Sequence, residues 1–103
     1  MSQPAQLRTP EVDALLRVLA SLDDEDEIFA LLEDLFTIRE IKETSQRLSV
    51  AKHLAEGKSY SAIEDITGAS ATTIARVSKC LSYGAGGYQA ALKVLSEDDS
   101  PVQ

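Results

Sequence analysis

The sequence predicts an all-α protein of six helices that contains a helix-turn-helix at about residues 59–83, and three observations lead there. Apolar residues recur at helical spacing along most of the chain. No segment alternates apolar and polar residues for long enough to make a strand. Capping residues and glycines punctuate the helical stretches at compatible intervals. The 103 residues fit a single domain, 1–103, because two cores in so short a chain would each bury too little apolar surface. Flexible ends are expected at 1–8 and 96–103.

The first helix opens at Thr9-Pro10-Glu11: a threonine N-cap, a proline at the first helical position and an acid that the helix dipole favours. It is expected to run to about Leu22, with Val12, Leu15, Leu16 and Leu19 on one face. The run Asp23-Asp24-Glu25-Asp26-Glu27 lacks the alternating ligands and turn glycine of a calcium loop, so it reads as the charged first turn of helix two. Ile28, Leu31, Leu32, Leu35 and Phe36 supply that helix's apolar face. Thr37 and Glu40 form a capping box that starts the third and longest helix. Its apolar positions Ile41, Leu48, Ala51 and Ala55, with Val50 and Leu54 beside them, lead to a C-cap at Gly57. His53 has no companion at ligand spacing and reads as a surface or packing residue.

Residues 61 to 81, SAIEDITGASATTIARVSKCL, carry the pattern that two helices crossing at a sharp angle require. Ser61 and Glu64 are expected to form a second capping box, and Ile63 to face inward. Gly68 supplies the turn. Ser70 caps the second helix, where Ile74, Val77 and Leu81 pack inward. Ala71, Thr72, Ala75 and Ser78 leave little bulk on the opposite face, and Thr72, Thr73, Arg76 and Lys79 offer donors to phosphates or bases. Glu64 stands where many such motifs have alanine, so it must point sideways or find a partner. Beyond Lys79, Tyr83 to Tyr88 reads as a glycine-rich loop. No strand precedes it and no Lys-Ser or Lys-Thr follows it, so it is not a phosphate loop. A last helix is expected over Gln89–Leu95.

Charge permits DNA binding. The net charge is -7, but residues 37–95 carry eight bases and five acids, a local excess of +3, and the acids concentrate toward the ends. No apolar run is long enough to cross a bilayer and no secretory signal opens the chain, so a cytoplasmic protein is expected. The single Cys80 has no partner for a disulfide or a zinc site and is expected to be a small, partly buried apolar residue. No acid pair, nucleophile with its base, or metal-ligand cluster stands at a recognisable spacing, so neither an enzyme nor a cofactor or metal site is expected. The competing reading is a helical interaction or dimerisation module without specific DNA binding, suggested by the acidic balance and Glu64.

From Leu35 to Leu95 the chain resembles the Trp repressor superfamily, and within it the bacterial TrpR-related YerC/YecD family. The marks are the TGAS turn, the TTIARVSKCL block and the YGAGGY loop after it. The resemblance implies an intertwined homodimer whose N-terminal helices wrap around the partner and whose two heads enter successive major grooves of double-stranded DNA. It further implies that Ser70, Ala71, Thr72, Thr73, Ala75 and Arg76 line the recognition helix, with its N-terminal part aimed at base edges, and that repression is by steric exclusion of polymerase. Thr37, Arg47 and Arg76 match positions that contact the amino-acid corepressor in Trp repressors, and Val77 replaces a pocket glycine. Overpacking of this kind costs roughly 1–3 kcal/mol, so this possible effector pocket is expected not to take tryptophan. Arg47 has an alternative role, pairing with Glu40 or Glu43 on its own helix.

Overall fold

A computed structural model of the chain describes residues 7–98. Six helices follow one another: α1 Pro10–Ser21, α2 Glu25–Leu35, α3 Ile38–Ala55, α4 Tyr60–Thr67, α5 Ala71–Tyr83 and α6 Gly87–Asp98. No strand occurs among the described residues. The helices group into two units that divide within α3, between Lys42 and Glu43.

In the first unit the helix ends form as their sequences dictate. The Thr9 hydroxyl accepts from Val12 N–H at 3.2 Å, and an Asp24 carboxylate oxygen accepts from Asp26 N–H at 3.0 Å. The acidic run is thus the capped first turn of α2. Thr37 and Glu40 form the reciprocal box: Thr37 N–H donates to Glu40 Oε1 at 2.9 Å and Glu40 N–H to Thr37 Oγ1 at 3.0 Å. Both α1 and α2 are amphipathic, yet neither contains a buried residue. Leu15, Leu16, Val18, Phe29, Leu35 and Ile38 are all exposed, Ile38 at 75%. A groove of about 320 Å³ is lined by Phe29, Glu33, Phe36, Ile38, Ile41 and Lys42.

The second unit holds the core. Val50 and Ala51 of α3, Ile63 of α4, Ala69 of the turn, and Ile74 and Val77 of α5 are buried together. Leu54, Leu81, Tyr88 and Leu92 pack around them, and α5 packs against both α4 and α6. Each fully buried Ile or Val contributes about 1.5–3 kcal/mol relative to exposure. Ala55, expected on the apolar face of α3, is exposed. Gly57 adopts φ 85°, and Lys58 N–H closes the helix end on the His53 carbonyl at 3.2 Å. His53 is half-buried; Lys58 Nζ lies 2.7 Å from its Nδ1 and 2.9 Å from Glu56 Oε1. The hydrogen bond from Lys58, chiefly, holds the Glu56 carboxyl below its ordinary value. Desolvation opposes that shift, and the charges of Lys58, Lys52 and His53 add to it.

The start of α4, the bounds of α6 and the exposure of Cys80 also differ from expectation. The N-cap of α4 is Ser59, whose hydroxyl accepts from Ala62 N–H at 3.1 Å, so Ser61 lies inside the helix and caps nothing. Starting at Tyr60 gives α4 about two turns and still turns Ile63 inward. Next, α6 begins at Gly87 rather than Gln89 and continues past Leu95 through Ser96, Glu97 and Asp98. Tyr88 is therefore a helical residue against the core, not a loop residue, since neither glycine nor proline interrupts the chain from Tyr88 to Ser100. The rest of the predicted flexible tail, and residues 1–6, lie outside the described residues. Lastly, Cys80 is exposed, because it sits about a quarter turn from the Val77–Leu81 side of α5.

Candidate nucleic-acid interface

Two helices, α4 and α5, joined by the three residues 68–70, occupy residues 60–83. Gly68 ends α4 at φ 76°, ψ 2°, a left-handed conformation that only glycine adopts without steric cost. Its N–H donates to the Glu64 carbonyl at 2.9 Å, and Gln46 Nε2 from α3 donates to the Thr67 carbonyl at 3.1 Å. Thr67 turns its hydroxyl inward, donating to the Ile63 carbonyl at 2.7 Å and accepting from Ala69 N–H at 3.1 Å. Ser70 then caps α5 by accepting from Thr73 N–H at 3.1 Å.

Helical geometry divides α5 cleanly. Ile74 and Val77 are buried and Leu81 is half-buried. Thr72, Arg76, Lys79 and Tyr83 lie within about 60° of one another on the opposite side. Of the residues expected to meet DNA, Ser70, Ala71, Thr72, Ala75, Arg76 and Lys79 are exposed and Thr73 is half-buried. Ser70 and Thr73 are partly engaged with each other, the Ser70 hydroxyl donating to Thr73 Oγ1 at 3.2 Å. Neither the Arg76 nor the Lys79 side chain has an ion pair or hydrogen bond to another described residue. Arg8, by contrast, is paired with Asp13 and Lys58 with Glu56. Glu64 is exposed on α4, as is Asp65 beside it.

The glycine-rich sequence places Tyr83 at the start of a loop; it instead ends α5. Its spacing of four from Lys79 is the signal for this, masked by the glycines that follow. Gly84 stops the helix immediately after it: a Cβ there would lie 2.5 Å from the Cys80 carbonyl oxygen, so the close backbone approach requires glycine. Gln89 Nε2 donates to the Leu81 carbonyl near this helix end.

The positions matched to an effector pocket are distributed differently. Thr37 caps α3 in the first unit, and Arg47, Arg76 and Val77 belong to the second. Arg47 is exposed, with Nη2 donating to Thr44 Oγ1 at 3.5 Å. Val77 is 1% exposed and forms part of the core. Among the described residues no group of three His, Cys, Asp or Glu side chains is placed to hold a metal ion, and no helix is long and apolar enough to cross a membrane.

Comparison with known proteins places this geometry in a family. The family model for the Trp repressor protein matches residues 10–96. The uncharacterised protein YerC of Bacillus subtilis is 44% identical over 95 residues, covering 92% of this chain and 91% of that protein. A TrpR-like protein from Eubacterium eligens, solved by crystallography, superposes with a TM-score of 0.85 at 42% identity over 90% of this chain and 96% of its own. A candidate Trp repressor from Staphylococcus aureus gives 0.86 at 35% identity, covering 93% and 96%.

Proposed function

The chain belongs to the Trp repressor family, and from that premise we propose that it is a sequence-specific transcriptional regulator, a repressor, that reads the major groove of double-stranded DNA as a homodimer. The observation that carries this reading is the outer face of α5, where Thr72, Arg76 and Lys79 stand opposite the core and the two cations have no ion pair among the described residues. Unpaired cations on a capped helix whose far side is locked into a core are what phosphate and base-edge recognition needs. The N-terminal residues Ser70 to Thr73, with Ala75 and Arg76, read bases, and Lys79 meets phosphate. Dimerisation is supported by α1 and α2, whose apolar side chains a second copy would cover.

Tryptophan has no place in this mechanism. Val77 fills the position with a buried branched side chain, and enlarging a space there means displacing Ile63, Ile74 or Val50 from close packing. Calorimetry with tryptophan is expected to show no binding; low-micromolar affinity would remove this part of the proposal.

The test is fluorescence anisotropy on a duplex enriched from random-sequence DNA by the wild-type protein. Affinity is expected to fall steeply with salt. Arg76→Ala should weaken binding roughly tenfold or more, as removal of a bidentate base-edge partner does, with the thermal transition unchanged. Equal binding by wild type and Arg76→Ala would contradict the assignment. A stable complex with another protein and no DNA affinity would favour an interaction module instead.

A further inference from the structure

We propose that Tyr83 extends the DNA-binding face of α5, its phenol donating a hydrogen bond to a backbone phosphate at the edge of the groove. The inference rests on the DNA-binding reading above but assigns a residue outside the set that the sequence led us to expect at the DNA. Tyr83 is 83% exposed, more than any other large apolar or aromatic side chain in the described chain. Its hydroxyl has no hydrogen-bond partner among the described residues. Tyrosine pairs a large apolar body with a polar tip, a combination that suits interfaces.

Its position supplies the rest. Thr72, Arg76, Lys79 and Tyr83 follow one another at intervals of four, three and four residues, a single line along α5. Thr72 and Tyr83 are separated by about 16 Å along the axis at the helical rise. The major groove is about 12 Å wide, so a helix that offers its N-terminal turns to base edges brings its last turn to the flanking sugar–phosphate backbone. Tyrosine is among the side chains that donate to phosphate oxygens there. The local structure keeps Tyr83 in that place. Gly84 ends the helix directly behind it by a close approach that a Cβ would block, and α5 is held below by Ile74 and Val77 in the core. The phenol therefore sits on a fixed last turn.

A neutral donor and a cation leave different signatures, and this separates Tyr83 from Lys79. Tyr83→Phe removes one hydroxyl from an exposed site and leaves folding intact. It should weaken binding about tenfold, as removal of a hydrogen bond to a charged acceptor does, and by the same factor on the enriched duplex and on a shuffled duplex of equal length. The dependence of log affinity on log salt should keep its slope. Lys79→Ala should instead flatten that slope by about one for each phosphate no longer neutralised. If Tyr83→Phe binds both duplexes like wild type while Arg76→Ala loses affinity, the assignment of Tyr83 is wrong and the DNA-binding reading stands. If Tyr83→Phe changes the sedimentation coefficient instead of DNA affinity, the residue belongs to a protein interface and the assignment is equally overturned. If neither wild type nor any variant binds DNA, the underlying reading fails first.

Discussion

Single residues carry more of this fold than composition suggests. Gly68 has no crowding neighbour, since a Cβ there would meet Gln46 Nε2 only at 3.9 Å. The penalty of substitution is thus conformational. Gly68→Ala is expected to destabilise the protein by about 1–2 kcal/mol, the cost of a side chain in the left-handed region, measured by chemical denaturation at fixed protein concentration. Wild-type stability in that variant would show that the turn relaxes. The cluster at the end of α3 gives a pH signature. Because Lys58 chiefly lowers the Glu56 pKa from its ordinary 4.5, the ionised carboxylate favours the folded state. That contribution is present above pH 4.5 and is lost as pH falls through the lowered value. Glu56→Gln should therefore lower Tm slightly at neutral pH, with the difference closing in acid; a difference that grew on acidification would contradict the sign.

Among the elements, those with one signal at each end are legible in the sequence. Thr9-Pro10 and the Thr37/Glu40 box mark the starts of α1 and α3 correctly, because a cap hydroxyl has few alternative donors to satisfy. The start of α4 is ambiguous for a physical reason. Ser59 and Ser61 both precede apolar residues, and only Ser61 has a glutamate three residues on. The structure chooses Ser59, following directly on the turn at Gly57 and Lys58. Ser59→Ala should cost about 1 kcal/mol, and Ser61→Ala close to nothing, in paired denaturation curves. The reverse order would restore the sequence-based assignment. At α5 the inward set Ile74, Val77 and Leu81 follows from periodicity, as does the outward set Thr72, Arg76 and Lys79. Tyr83 and Tyr88 are hidden by the glycines between them, which end one helix and start the next within a shorter loop than composition implies.

At the scale of the whole molecule, the buried core of the described residues lies in the second unit. It is drawn from α3, α4, the turn and α5, whereas α1 and α2 bury no residue. In the proposed dimer that contrast has a cause: helices with apolar faces and no buried residue are completed by a second copy. The thermal transition should then rise with protein concentration. A charge at the exposed Ile38 or Phe29, as in Phe29→Asp, should shift the protein toward monomer in sedimentation. A wild-type monomer with a concentration-independent Tm would contradict the dimer. Two reading heads related by a twofold axis would meet DNA one helical turn apart, about 34 Å. Selection from random-sequence DNA tests that arrangement most directly. Enrichment of a near-palindromic site with half-site centres about 10 base pairs apart is expected, and its disappearance with Arg76→Ala. Failure to retain any DNA at low salt would contradict the claim that α5 is a DNA-reading helix.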